Sequence, residues 1–176
     1  MIAMTERLSK SKLYSSNGEL IEINKTINGT PFFRKEYYND NNNEIDIVTM
    51  LKCNPTYFKH IVKIYHVDYG YYDAELVQTS IQFTEENVNQ IIDDMKHAKE
   101  ELQSKGIMYI DWKLDNLGYS ITDNLYKLFD FDSSGIANCK SWIKMPPHRW
   151  LYKKAIEKGY TSPIDIDNEC FNIFYY

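Results

Sequence analysis

Little in this chain of 176 residues argues for a disulfide scaffold, a nucleic-acid binder or a membrane span. Cysteine is scarce: Cys53, Cys139 and Cys170 are odd in number and lack metal-ligand spacing, so they read as ordinary thiols of a reducing compartment. The 4 histidines, His60, His66, His97 and His148, are dispersed, and none reads as a ligand. There is no basic run and the net charge is −5, which makes nucleic acid an unexpected partner. No stretch approaches the roughly 18 apolar residues of a membrane span, and the N-terminus has no signal-peptide core, so neither membrane nor secretion is expected and a cytoplasmic location is. There are no internal repeats, and the one low-complexity patch, Asn39 to Asn43, reads as a polar loop.

What is present is a core. The chain is 43% apolar and 15% aromatic, with 15 Tyr, and its length fits one domain or two small lobes sharing a cleft. Leu20 to Ile23 reads as a strand. Asn28-Gly29 is a hairpin turn signal, and Pro31 to Tyr37 is the returning strand. Glu44 to Lys52 reads as a short helix, with Ile45, Val48 and Leu51 on one side and Glu44 in its first turn. His60 to Tyr65 and Tyr71 to Val77 read as two further strands. The clearest helix is Thr84 to Lys105. Thr84 can cap it, Gly106 suits its exit, and Val88, Ile91, Ile92, Met95, Ala98 and Leu102 form its apolar face.

That helix leads into the most informative stretch, Lys105 to Gly135. Asp111 is followed by Lys113 and Asn116. A second acid, Asp130, comes 19 residues after Asp111, at the end of Tyr126-Lys127-Leu128-Phe129. Leu117 to Ser120 and Tyr126 to Phe129 read as two short strands joined by a turn at Asp123-Asn124. Metal-assisted phosphoryl transfer needs an acid near the acceptor hydroxyl, a cation near the transferred phosphate and two oxygen ligands for magnesium. An Asp, Lys and Asn loop facing a hairpin that ends in Asp supplies all four. Taken without that chemistry, the same residues are a charged surface loop and a turn acid.

The stretch resembles the catalytic and magnesium loops of the protein-kinase superfamily, H-R-D-x-K-x-x-N followed by D-F-G. Here they read Tyr109-Ile110-Asp111-Trp112-Lys113-Leu114-Asp115-Asn116 and Asp130-Phe131-Asp132. The resemblance implies an α+β bilobal fold over residues 1–176. A small antiparallel-sheet lobe with one short helix would occupy 1–78, and a shortened, mainly helical lobe 79–176. It implies ATP and Mg2+ as cofactors, with Asp111 and Lys113 catalytic and Asn116 and Asp130 holding the metal. Lys35 would hold the α- and β-phosphates, with Glu44 as its ion-pair partner. Gly18 and Ser15 would belong to the phosphate-covering loop, whose other two glycine positions here are Leu13 and Ser15. Outside the resemblance, Lys35 is a solvated strand lysine and Glu44 a helix N-terminal acid.

Three departures stand out. Phe33 occupies a position where the family prefers a small residue under the adenine. Ile110 replaces the catalytic-loop Arg, so activity is expected not to depend on phosphorylation of a neighbouring loop. Asp132 replaces the Gly that eases the swing of the magnesium loop. Asp165 would match the acid that braces the catalytic loop from behind, or it is a helix cap. The aromatic end, Phe171 to Tyr176, is expected to need cover from a homodimer contact or another chain.

The function implied is transfer of the ATP γ-phosphate to Ser or Thr of a protein substrate. The alternatives are a pseudokinase that binds a regulatory protein partner, and a small-molecule kinase. The Asn, Ile, Lys and Tyr bias suits an AT-rich genome, such as that of a large DNA virus, and carries no information on function.

Overall fold

The structure, a computed structural model, describes residues 10–14, 20–25, 31–36, 42–137 and 150–176. They form a mixed α+β protein with small antiparallel sheets. The first sheet is built from β1 (Lys10–Tyr14), β2 (Leu20–Lys25), β3 (Pro31–Glu36), β4 (Ile64–Asp68) and β5 (Tyr71–Glu75), in the order β1-β2-β3-β5-β4. Every neighbouring pair is antiparallel. Strand β1 precedes the strands read from Leu20 onward, and the expected Asn28-Gly29 turn lies outside the described residues. Between β3 and β4 runs the helix α1 (Asn42–Cys53), whose Ile47, Val48 and Leu51 enter the core.

The strand expected from His60 begins only at Ile64 and continues to Asp68. His60 to Val62 pair elsewhere: Leu128 N–H donates to His60 O at 2.9 Å and Val62 N–H to Leu128 O at 3.1 Å. The β4–β5 turn uses Gly70 at φ +87, a conformation that costs glycine little.

The long helix, α2 (Val88–Gln103), starts later than expected. Thr84 and Asn87 hydrogen-bond each other instead, Thr84 N–H to Asn87 Oδ1 at 2.8 Å and Asn87 N–H to Thr84 Oγ1 at 3.3 Å. Its buried stripe is Ile91, Met95, Ala98 and Leu102, with Asp94 among them. Asp94 is tolerated there because its Oδ2 accepts the Tyr126 N–H at 2.8 Å.

After α2 come β6 (Ile107–Met108), a 3₁₀ turn (Leu114–Asn116), β7 (Leu117–Ser120), β8 (Leu125–Leu128) and β9 (Gly135–Ile136). β6 pairs with β9, and β7 with β8 as a hairpin. The helices α3 (Trp150–Glu157) and α4 (Pro163–Tyr175) complete the described chain. One hydrophobic core joins α1, α2, the hairpin and α4. The aromatic end packs inward: Phe171 and Tyr175 are buried, with ring centroids 4.9 and 6.3 Å from Trp112. Tyr176 is 74% exposed, and Ile173 and Phe174 are half-buried.

Candidate active site

Lys35 extends from β3, and its ammonium lies 2.6 Å from Glu44 Oε1 and 2.6 Å from Asp130 Oδ1. This three-way contact joins the sheet, α1 and the segment after β8. Glu44 is buried in the first turn of α1, and the Tyr72 hydroxyl also donates to its Oε1 at 3.3 Å. Burial works against the Lys35 charge, but the Asp130 and Glu44 carboxylates outweigh it and hold its pKa above the ordinary value. Glu44 is also shifted upward, by burial first; Lys35 offsets this only partly, and Asp130 adds to it.

The Asp111 loop lies against the same hairpin. Lys113 Nζ sits 2.8 Å from Asp111 Oδ2. Asn116 Nδ2 donates to the Asp111 carbonyl at 3.0 Å and to Asp111 Oδ2 at 3.1 Å, which orients its amide. Phe129, just before Asp130, donates its N–H to Asn116 O at 3.0 Å, and its carbonyl accepts from the Tyr109 hydroxyl at 2.5 Å. Burial pushes the Tyr109 hydroxyl well above its usual pKa, and the charges of Asp130 and Asp111 both add to the shift. The two acids therefore face one buried phenol.

Two backbone positions here are strained. Asp130 has φ +64 and Ile110 has φ +69. The Asp111 N–H reaches back to Tyr109 O at 2.9 Å, so Ile110 stands at the centre of a three-residue turn that a β-branched residue rarely adopts. Such a residue costs about 1–3 kcal/mol and persists only where its surroundings enforce it. The enforcer is Asp167, from α4. Its Oδ1 accepts the Ile110 N–H at 2.9 Å and the Trp112 Nε1–H at 2.8 Å, and its Oδ2 accepts from Gln103 Nε2 at 2.8 Å. Asp167 is fully buried, which raises its pKa against the opposing effect of these donors.

The expectation placed on Asp165 is therefore corrected: the bracing acid is Asp167. Asp165 is exposed and completes the cap of α4, where Ser162 Oγ accepts its N–H at 3.2 Å. Its alternative reading, a helix-capping acid, is the one observed. Lys35, Glu44, Asp111, Lys113, Asn116 and Asp130 are brought together. Gly18 and Ser15 lie outside the described residues. Asp132 is exposed, accepts from Ser133 Oγ at 2.7 Å, and lies close enough to add to the upward shift of Glu44.

Sequence reasoning missed Asp167, Tyr72 and a second buried lysine. Lys127 Nζ lies 2.7 Å from Glu75 Oε2 and also pairs with Asp123. Signals existed for the first. Asp167 shares a helical stripe with Cys170, Phe171 and Tyr175, three, four and eight residues on, all of them buried.

Among the described residues no three His, Cys, Asp or Glu side chains converge as a metal cage. Magnesium does not require one, since one or two protein oxygens plus substrate phosphates suffice. Asp130 and Asn116 fit that need. Lys35 engages Asp130 through Oδ1, and Oδ2 has no partner among the described residues. No protein-family model matches the chain, and no curated protein matches its sequence.

Proposed function

We propose that the protein is an ATP- and magnesium-dependent phosphotransferase with a protein-kinase-like bilobal arrangement, acting on Ser or Thr hydroxyls. One observation carries the reading: the Lys35 ammonium lies between Glu44 and Asp130, residues 9 and 95 positions away in sequence, beside a loop that presents Asp111, Lys113 and Asn116. A surface lysine and scattered acids would not converge in this way.

In this reading Asp111 orients the acceptor hydroxyl and takes its proton, within hydrogen-bond reach of Lys113 and Asn116. Lys113 steadies the transferred phosphate. Lys35, positioned by Glu44, holds the α- and β-phosphates. Asp130 and Asn116 would hold magnesium, which when bound neutralises charge on the phosphate oxygens. Asp167 holds the strained turn at Ile110, the residue just before Asp111, through the Ile110 N–H.

The experiment is radiolabel transfer from γ-labelled ATP to a generic protein acceptor, with Asp111→Ala and Asp130→Ala as controls. Transfer lost in both variants is the expected result. Magnesium-dependent ATP binding with no transfer under any condition would make the protein a binding module. Transfer unaffected by Asp111→Ala would refute the assignment.

A further inference from the structure

Two carboxylates clasp Lys35, and they are not equivalent. The side chain of Asp130 is 29% exposed and that of Glu44 only 2%. In the proposed function Asp130 turns to magnesium and Lys35 to the phosphates of the nucleotide. Glu44 then shares its cation with a ligand that carries several negative charges. Burial already raises the Glu44 pKa against the opposing effect of Lys35. A buried carboxylate whose partner is drawn away takes up a proton or moves, and either change releases Lys35.

A second hydrogen-bond donor reaches the same oxygen. Lys35 and Tyr72 are directly paired across β3 and β5, which places both side chains on one face of the sheet. Glu44 Oε1 accepts from Lys35 Nζ at 2.6 Å and from the Tyr72 hydroxyl at 3.3 Å. Tyr72 is buried and belongs to the hydrophobic core cluster with Ile47 and Val48 of α1. Packing asks only for the ring, which phenylalanine also supplies; the hydroxyl is the part that needs another reason. Burial, then the charges of Glu44 and Asp130, push the Tyr72 pKa well above its ordinary value, so the phenol keeps its proton. A neutral hydroxyl is not drawn off by phosphate charge, and it stays with Glu44 when Lys35 turns.

We infer that Tyr72 is a positioning residue: its hydroxyl holds the Glu44 carboxylate in place, and through it the Lys35 ammonium, while the phosphates engage Lys35. This role deepens the phosphotransferase reading and rests on it. Tyr72 acts on the nucleotide only through Glu44.

The test is a double-mutant cycle on magnesium-ATP binding to the full chain, by titration calorimetry. It compares the wild type, Tyr72→Phe, Glu44→Met and the double variant, with the denaturant midpoint of each. Tyr72→Phe should weaken binding about tenfold, the scale of one hydrogen bond to a charged group. In the Glu44→Met background the same substitution should change binding by less than about twofold, because the group it acts through is gone. Where Glu44→Met binds too weakly to measure, the single variant decides, and the tenfold loss must appear without a matching fall in midpoint. A hydroxyl with a structural role alone would move the midpoint and spare the affinity, or weaken binding equally in both backgrounds. Either result would overturn the inference and leave the phosphotransferase reading standing. So would a Tyr72→Phe chain that does not fold, since the hydroxyl would then belong to the fold. Absence of magnesium-ATP binding by the wild type would overturn both.

Discussion

Two lysines in this protein have nearly the same surroundings and opposite meanings. Lys35 is clasped by Glu44 and Asp130, and Lys127 by Glu75 and Asp123. Each trio ties the five-stranded sheet or its helix to the β7–β8 hairpin region. The side chain of Lys127 is 1% exposed, whereas that of Lys35 is 22% exposed, and Asp130 beside it 29%. Around Lys127 the carboxylates are saturated. Glu75 also accepts from Ser120 Oγ at 2.6 Å and Lys63 N–H at 3.2 Å, and Asp123 from Lys63 Nζ at 3.0 Å. Around Lys35, Asp130 keeps one oxygen without a partner among the described residues. The lesson is that an ion trio around a fully buried lysine with every oxygen engaged reads as a strut, while the proposed site needs the same chemistry with an oxygen left open.

The contrast can be broken by mutation. Asp130→Ala should lower phosphate transfer by at least about 10³-fold, equivalent to about 4 kcal/mol of barrier, with circular dichroism unchanged. Lys127→Met should do the reverse. It strands the buried Glu75 and the partly exposed Asp123 and should cost about 3 kcal/mol of stability, read as a lower denaturant midpoint. Lys35→Met should cost far less stability than Lys127→Met and abolish nucleotide binding. Equal stability losses in the two methionine variants would erase the distinction between strut and site.

A smaller effect is expected where the segment after β5 meets the hairpin. Gly118→Ala should destabilise by about 1–3 kcal/mol because its methyl group meets Val77, and Val77→Ala in the same chain should recover most of that loss. Failure of the second substitution to rescue would mean the contact is not the cause.

The smallest effect is in the pH dependence. Hydrogen bonds from Lys127 and then Lys63 hold the Asp123 carboxyl below its ordinary value. Its contribution to stability is therefore present above the unfolded-chain value of about 3.9 and is lost as pH falls through the folded value. Asp123→Asn should flatten the acid limb of stability against pH. At the other end, the Lys35 pKa is raised, so its contribution is present below about 10.4 and is lost as pH climbs through the folded value. Lys35→Met should flatten the alkaline limb. An acid limb unchanged by Asp123→Asn would contradict this assignment.

The parts of the site that could be read in advance are those set by linear spacing. Asp111, Lys113 and Asn116 lie within one loop, and Asp130 follows at the end of a hairpin whose alternation is visible. Lys35 and Glu44 could be nominated, but their meeting with Asp130 is a product of packing between distant segments. Lys127 was hidden for another reason. In β8, Tyr126, Lys127 and Leu128 are all buried, because the hairpin is covered on both faces and simple alternation fails. Asp165 and Asp167 lie two residues apart, and only the phase of the apolar stripe of α4 tells the exposed acid from the buried one. Asp94 was overlooked among apolar neighbours of α2 for the same cause: a polar residue on a buried face is justified only by a partner far away in sequence, here Tyr126 N–H. The strands from Leu20 to Glu36 were broadly legible, whereas β1 carries no clear alternation.

The most direct test of the account compares magnesium-ATP binding by the wild type, Lys35→Met and Lys127→Met at a temperature where all three are folded. Binding retained by Lys127→Met and lost in Lys35→Met is the outcome predicted. Binding that survives in Lys35→Met, or that fails in the wild type, would contradict the claim that the Lys35, Glu44 and Asp130 trio is where a triphosphate is held.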